Sequence, residues 1–235
     1  MDFVVMLLAD LHLHCKGDSL DNIKYSPEEL IDHAALRGYH VLAITCHDIV
    51  IYSRKLAEYA KRKGILLIPG AEKTLQGKHI LLYNITNKEL VAIKTFEDIA
   101  LWKKNKKNTL VIAPHPYYLL TSCLGSLTEK YMQLFDAIEY THFYTTYFNL
   151  NNKAVALAQK HSKPLVGNSD SHKLSHFGTT RTLIQSKKTI NSVITAIKKG
   201  KVQVSSRPLT TIEFIKTGIW VIRGLVLIVS GIQRV

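Results

Sequence analysis

The chain has 235 residues, of which 46% are hydrophobic and 21% are charged, and this composition excludes a disordered tail, a coiled coil and a collagen. Its length suits one substantial domain, and its net charge of +13 favours anionic partners such as phosphorylated metabolites, nucleic acid or an acidic membrane surface. Three sparse cysteines (Cys15, Cys46 and Cys123) exclude a disulfide framework and predict a reducing, cytoplasmic location.

Short apolar runs alternate with helical patterns along the chain. Five runs of consecutive apolar residues predict strands that are covered on both faces, at residues 3–8, 41–44, 65–68, 110–112 and 164–166. Four helices are predicted between them, at residues 27–37, 52–63, 151–160 and 189–199, the first of which begins with a capping box at Ser26. This alternation predicts an α/β fold with a mostly parallel sheet, either open or closed into a barrel.

The apolar stretch at residues 212–232 is about long enough to span a bilayer. Glu213, Lys216 and Arg223 interrupt it, and charges near the middle of a span cost about 2.5–3.5 kcal/mol each. We therefore predict that residues 209–235 form a helix packed on a barrel domain of residues 1–208, without stable membrane insertion. A membrane anchor is the alternative.

Residues that can bind metal follow each of the five predicted strands. In chain order they are His12 and His14, His47, Glu72, His115, and Asp170 with His172. A parallel barrel gathers the carboxyl ends of its strands on one face, whereas an open sheet would spread them along an edge. The barrel is therefore the favoured architecture.

Imidazole and carboxylate donors together suit zinc, manganese or iron. His12 and His14, two residues apart on a strand, present both imidazoles on the same side. One tetrahedral ion takes about four ligands, so the strand-end set predicts two or three ions. Four other histidines do not fit this pattern of strand ends and are predicted to be solvated or structural. They are His33, His40, His161 and His176.

Five segments resemble the motifs of the PHP (polymerase and histidinol phosphatase) family, in order and in spacing, over about residues 5–205. They are Asp10-Leu11-His12-Leu13-His14, Thr45-Cys46-His47-Asp48, Pro69-Gly70-Ala71-Glu72, His115-Pro116 and Ser169-Asp170-Ser171-His172. The resemblance implies a distorted, TIM-like (β/α) barrel of seven strands. It also implies a di- or trinuclear site whose metal-activated water hydrolyses phosphoesters. The expected substrate is a phosphorylated small molecule or a short nucleic acid.

The resemblance also implies roles for individual residues. His12 and His14 would share one ion with Glu72 and Asp170, and the other ions would be completed by His47, His115 and His172. Relatives carry a histidine after the glutamate strand, which implies that His79 is a ligand. An acid follows the paired histidines in relatives, for which Asp18 is the best candidate and Asp21 is possible. Glu72, Asp170 and His172 are the expected catalytic residues.

The second motif departs from the family pattern. It usually reads Thr-Asp-His-Asp, and Cys46 stands where the first aspartate is expected. A neutral thiol cannot orient a ligating imidazole as a carboxylate does, although a thiolate could itself bind metal. We predict that Cys46 packs in or near the site rather than binding metal. If the family aspartate is essential for activity, the chain could be weakly active.

Substrate binding and the class of function leave alternatives open. Arg181 follows the last motif and could hold a phosphate with two N–H groups, or could simply be exposed to solvent. A non-catalytic RNA-binding barrel, resembling a protein subunit of ribonuclease P, would explain the basic charge but not the metal-type residues. A metal-dependent amidohydrolase also uses paired histidines on a barrel strand, but often has a bridging lysine that no strand end here offers.

Overall fold

The computed structural model describes residues 3–118 and 120–219. In chain order, their elements are β1 (Val5–Leu13), α1 (Pro27–Leu36), β2 (Val41–Ile44), α2 (Arg54–Arg62), β3 (Leu66–Leu75), β4 (Lys78–Tyr83), α3 (Asn87–Ala92), α4 (Phe96–Asn105), β5 (Leu110–Ala113), α5 (Leu127–Lys130), β6 (Ala137–Thr141), α6 (Asn151–Lys160), β7 (Leu165–Asn168), β8 (Thr180–Ser186), α7 (Ile190–Lys198) and β9 (Val202–Ser206). A further helical stretch covers residues 211–219.

The described strands form one sheet in the order β7-β6-β5-β4-β3-β2-β1-β8-β9. Its two ends approach each other, because β7 contacts β8 and β9 and the Thr182 hydroxyl donates a hydrogen bond to the carbonyl of Gly167 at 2.7 Å. The sheet is therefore a nearly closed barrel. The predicted α/β barrel is confirmed, but the count of seven strands is not, since the described sheet has nine. The β3–β4 hairpin and the antiparallel pairing of β8 with β1 and β9 supply strands that the apolar runs did not predict.

Most predicted elements lie close to their expected positions. The capping box at Ser26 is formed, with the Ser26 hydroxyl accepting from the backbone N–H of Glu29 and the Glu29 carboxylate accepting from that of Ser26. The first strand begins later than predicted, and its residues Val5 and Met6 are exposed. Strands β6 and β8 were missed because buried polar residues, such as Glu139 and Thr182, interrupt their apolar pattern.

A register shift in β1 sets the direction of the histidines. The pairing of β1 with β2 changes between Asp10 and Leu13. Before the shift, Ala9 and Leu11 pack in the barrel interior, and after it Leu13 packs in the cluster outside, against α1 and β2. An extra residue in one strand exchanges the faces of all the residues that follow. His12 and His14 consequently point into the mouth of the barrel.

The segment after β9 packs on the barrel over part of its length. The ring of Phe214 stacks on that of Phe143 with centroids 4.5 Å apart, and Thr217 is buried. The rest of the predicted 209–235 helix, including Arg223, lies outside the described residues. Among the helices that the structure describes, none is both long enough and apolar enough to cross a bilayer. The domain division at residue 208 stays a prediction.

Candidate metal centre

Glu72 lies at the centre of the candidate site and is 1% exposed. Its Oε2 atom is 3.2 Å from Nε2 of His12, 3.4 Å from Nε2 of His14 and 3.2 Å from Nε2 of His47. The sequence placed Glu72 after the end of a strand, but it lies within β3, which continues to Leu75 and pairs with β4. The extended strand holds the carboxylate among three imidazoles, which come from β1, from the residue that follows β1 and from the segment after β2.

The other oxygen of Glu72 faces a second group of imidazoles. Its Oε1 atom is 2.9 Å from Nδ1 of His79 and 3.1 Å from Nε2 of His115. His79 reaches it diagonally from β4, where it pairs with Thr74 on the same face as Glu72, and His115 follows β5 with a positive φ of 26°. Glu72 thus lies between two groups of nitrogen donors, which is the arrangement of a carboxylate that bridges two cations.

Asp170 approaches the first group from the segment after β7. Its Oδ1 atom is 3.3 Å from Nε2 of His12 and 3.4 Å from Nε2 of His14. Neither Asp170 Oδ1 nor His14 Nε2 has a partner with hydrogen-bond geometry among the described residues, although both atoms are buried. Buried polar atoms almost always have a partner in native proteins. A cation bound between these two atoms would supply a partner for both.

Asp18 lies behind two of these imidazoles. Its carboxylate oxygens are 2.8 Å from Nδ1 of His14 and 2.9 Å from Nδ1 of His47, and Oδ2 also accepts from the backbone N–H of His47 at 2.9 Å. Because these are the Nδ1 atoms, the Nε2 atoms of both rings are left to face Glu72. This geometry favours Asp18 as the carboxylate that orients two ligands, rather than as the ligand that the sequence predicted.

Asp21, the alternative acid, reaches the centre more directly. Its Oδ2 atom is 3.1 Å from Nε2 of His172. The other nitrogen of His172, Nδ1, is 3.1 Å from the backbone carbonyl of Asp170, and the His172 ring stacks on that of His14 at 4.0 Å. Asp21 and His172 therefore occupy the part of the cluster beside His14 and His47, where a further cation would lie.

Glu139 was not identified from the sequence, although it is fully buried in the site. Its Oε1 atom is 2.9 Å from Nδ1 of His12 and accepts from the side-chain amide of Asn168 at 2.8 Å. Its Oε2 atom accepts from the backbone N–H of His115 at 2.7 Å. Glu139 thus holds His12 as Asp18 holds His14 and His47.

The charges in the cluster stabilise one another. Burial by itself lowers the pKa of His12, but the carboxylates of Asp170, Glu139 and Glu72 more than offset it and raise that pKa to about 10. Burial by itself raises the pKa of Glu72, yet the surrounding imidazoles hold it well below its usual range. Glu72 and Asp170, whose pKa values are both held well below the usual range, therefore stay ionised and attract positive charge. Divalent cations would supply that positive charge in place of the protons on the imidazoles.

The donor atoms form overlapping groups whose members lie within 4.8 Å of one another. These groups include His12, His14 and Glu72; His47, Glu72 and His79; and His14, His47 and His172. A tetrahedral ion takes about four ligands, so the overlapping set offers donors for more than one ion. Nitrogen and carboxylate donors in this mixture fit zinc, manganese or iron.

Comparisons with known proteins agree with this fold. A family model described as PHP-associated matches residues 149–202. A two-domain protein of Bacteroides vulgatus, described as containing a predicted PHP-like metal-dependent phosphoesterase, superposes with a TM-score of 0.66 at 18% identity, over 87% of this chain and 66% of that one. The predicted resemblance to the PHP family is confirmed.

Two further enzymes are also similar to this chain. The lesion-specific endonuclease Q of Pyrococcus furiosus superposes with a TM-score of 0.60 at 16% identity, over 85% of this chain and 58% of that one. An error-prone DNA polymerase of Nocardia farcinica is 39% identical over 67 residues. That match spans 28% of this chain and 6% of the polymerase.

Cys46 stands at the position of the PHP aspartate but does not take its place chemically. Its Sγ atom lies 3.7 Å from Sγ of Cys15 within the apolar cluster outside the barrel. The contact with Cys15, together with burial, raises the pKa of the Cys46 thiol, so the thiol is neutral and poorly suited to bind metal. The carboxylate that contacts His47 comes from Asp18 instead.

Arg181 does not join the cluster. Thr180, Thr182 and Ile184 face the barrel interior, whereas Arg181 lies on the opposite face of β8. Its Nε atom is 3.4 Å from the hydroxyl of Ser205. Because strand side chains alternate between faces, Arg181 cannot reach a phosphate in the barrel mouth without reversing the strand. The prediction that Arg181 binds substrate is not supported.

His142 and His176 lie in the site although the sequence analysis assigned neither to it. His142 follows β6 directly, is 5% exposed and stacks on His176 with ring centroids 5.8 Å apart. Both rings line a cavity together with Asp170 and His172. The position of His142 after a strand was the available signal, and Glu139 concealed it by interrupting that strand's apolar run.

The other three unassigned histidines lie away from the cluster. His40 accepts the backbone N–H of Leu8 through Nδ1 at 3.0 Å. His33 contacts Arg37 on α1, and His161 lies 3.4 Å from Glu129 on the surface. Their predicted structural or solvated roles are confirmed.

Proposed function

We propose that this chain hydrolyses phosphoesters with the help of two or three divalent metal ions. The observation that carries the proposal is Glu72, a buried carboxylate whose two oxygens face two separate groups of imidazoles. Divalent ions at such a centre supply Lewis-acid stabilisation of the attacking and leaving oxygens and a lowered pKa for water. The chain's own part is to place the donors, to keep Glu72 and Asp170 ionised, and to orient the imidazoles through Asp18 and Glu139.

The cavity over this centre limits the size of what can bind deeply. It has a volume of about 110 Å³, and besides candidate ligands it is lined by Tyr118, His142, Phe143 and Thr217. A group of the size of a phosphoryl group fits this space, with the organic part of the substrate directed outward.

The substrate class follows from charge and from the relatives. The chain carries a net charge of +13, and one of the structural relatives is a lesion-specific endonuclease. We propose a small phosphomonoester, a nucleotide or a short oligonucleotide, in a reducing cytoplasm where the three free, buried cysteines stay unpaired.

The two rival functions receive less support. Residues 103–107, at the end of α4, include four lysines. Lys103 pairs with Asp136 at 2.9 Å and Lys106 pairs with Glu89 at 2.8 Å, so part of this charge is neutralised within the fold. This weakens the case for an RNA-binding barrel. Among the described residues that line the cavity there is no lysine, which weakens the case for an amidohydrolase with a bridging lysine.

A direct assay tests the proposal. The chain is stripped of metal, reconstituted with manganese or zinc, and assayed on a panel of phosphomonoesters, nucleotides and short oligonucleotides. We expect metal-dependent release of phosphate or of a nucleotide, and loss of that activity in Glu72→Gln, which keeps the side-chain shape but removes the charge. Absence of turnover on the whole panel with every metal would overturn the proposal.

Metal content separates catalysis from simple binding. We expect two or three ions per chain after reconstitution, measured by inductively coupled plasma mass spectrometry. Fewer than one ion per chain would favour the non-catalytic RNA-binding barrel instead.

A further inference from the structure

His142 is a buried imidazole with unmet hydrogen-bonding capacity. It is 5% exposed, and neither Nδ1 nor Nε2 has a hydrogen-bond partner among the described residues. In a neutral imidazole one ring nitrogen carries a proton and can donate, whichever tautomer is present. Buried polar groups in native proteins are almost always paired with protein, water or a ligand. The partner of His142 must therefore enter from the cavity that the ring lines.

The position of His142 is fixed by its neighbours. Thr141, the residue before it, exchanges two hydrogen bonds of 3.0 Å with the side chain of the buried Asn151. The ring itself stacks on His176, and the next residue, Phe143, stacks on Phe214. A side chain held on both sides in this way is already oriented and loses little freedom when a ligand binds.

The candidate metal ligands and His142 line the same cavity. His47, Glu72, His79 and His115 line it on the side of the metal centre. Among its other lining residues, Tyr118 has its hydroxyl already used, since it donates to the carbonyl of Phe143. A phosphoryl group carries several oxygens, so one bound in this cavity can present some of them to the metal centre and another to the His142 ring.

We infer that His142 binds the substrate, by donating a hydrogen bond to a phosphoryl oxygen that the metal centre does not hold. This inference rests on the proposed function and adds to it a contact made by protein alone. His176 supports the ring of His142 by stacking and is a positioning residue.

The experiment measures binding of inorganic phosphate to the metal-loaded protein by isothermal titration calorimetry. Wild type, His142→Ala, His142→Asn and the surface control His161→Ala are compared, and the metal content of each is measured. We expect phosphate to bind His142→Ala about tenfold or more weakly than wild type, because a hydrogen bond to a charged group is lost. The metal content should be unchanged, and His161→Ala should match wild type. His142→Asn retains an N–H donor and should lie between the two.

Several outcomes would overturn the inference. They are the absence of phosphate binding to wild type, equal affinity of wild type and His142→Ala, and loss of an ion in His142→Ala, which would make His142 a metal ligand. Failure of both His142 variants to fold, judged by circular dichroism, would instead make the residue structural. The proposed function fails separately: phosphate binding that depends on His142 without turnover of any ester would overturn the hydrolase and leave this contact standing.

Discussion

Asp18 contacts Nδ1 of His47 at 2.9 Å and at the same time accepts the backbone N–H of His47 at 2.9 Å. The two residues are 29 positions apart, and Cys46, next to His47, contributes no such contact. One carboxylate therefore sets both the tautomer and the direction of a candidate ligand. A second contact from the same carboxylate, to Nδ1 of His14 at 2.8 Å, extends this control to β1.

Replacing Asp18 by Asn tests this orienting role. The amide keeps the shape but removes the charge that holds the two Nδ1–H groups, so we expect metal affinity to fall about 10–100-fold, with the fold retained. Competition with a chromophoric chelator measures the affinity. Asp32→Asn is the matched control, because Asp32 is an exposed carboxylate that pairs with Lys63 and Tyr59. Equal affinities in Asp18→Asn and wild type would refute the role.

Replacing Cys46 by Ser tests whether the thiol binds metal. The buried thiol contacts Cys15 and lies behind the imidazoles, so we expect metal content and kcat/KM to stay within about threefold of wild type. The variant is assayed after reconstitution with zinc and with manganese. A loss of one ion per chain would show that Cys46 is a ligand after all.

If His12 and Asp170 bind metal at one shared centre, removing either residue should cause a similar loss of metal and of activity. His12→Ala and Asp170→Ala should each lower metal content and activity by orders of magnitude, well beyond the 10–100-fold typical of residues that only orient ligands. His161→Ala, on the surface, should behave as wild type. Full metal content and rate in both ligand variants would refute the shared centre.

The same two variants should differ in stability when free of metal. His12 is fully buried and compensates Glu139 and Glu72, whereas the side chain of Asp170 is 23% exposed. Breaking a buried ion pair by removing one partner costs about 3–5 kcal/mol, so urea unfolding of metal-free His12→Ala should show the larger loss. Equal midpoints for the two variants would contradict this expectation.

Arg181→Ala should leave substrate binding nearly unchanged. The side chain lies on the outer face of β8, beside Ser205 and away from the cavity. We expect KM for a phosphoester to change less than about twofold, since a surface substitution that leaves the site intact shifts free energies by about 0.5 kcal/mol or less. A tenfold rise in KM would restore Arg181 as a phosphate-binding residue.

Glu89 predicts a pH-dependent part of the stability. Burial by itself raises its pKa, but hydrogen bonds from Lys106 and Thr86 lower it from 4.5 to about 2. A depressed carboxyl pKa stabilises the fold above the unfolded value and loses that effect as the pH falls from about 4.5 to 2. Solvent screening of this partly exposed pair reduces the effect to about 1 kcal/mol.

Urea unfolding of wild type and Glu89→Gln at several pH values checks this dependence. We expect the variant to be less stable at pH 7 and the difference to disappear as the pH approaches 2. Glu58→Gln, at an exposed pair with Arg54, should show little difference at either pH. A difference for Glu89→Gln that does not change with pH would exclude the linkage.

The pattern of neighbouring residues was enough to predict a large part of this fold and of its candidate site. The consecutive apolar residues of β2 and β5, the Ser26 capping box and the paired histidines of β1 follow from neighbouring residues alone, so they could be predicted. The convergence of the histidines followed from one further rule, that parallel strands end on the same face of a barrel.

Contacts between distant segments decided the rest. The choice between Asp18 and Asp21, the 2.9 Å contact of Glu139 with His12 across 127 residues, and the outer position of Arg181 depend on register and on the path of loops. The shift in β1 exchanges the faces of its side chains, and it is set by pairing with β2 rather than by β1 itself. Residue type therefore determined which chemistry the chain could carry. Only the closure of the barrel determined which carboxylates orient ligands, which one lies between them, and that His142 faces the cavity.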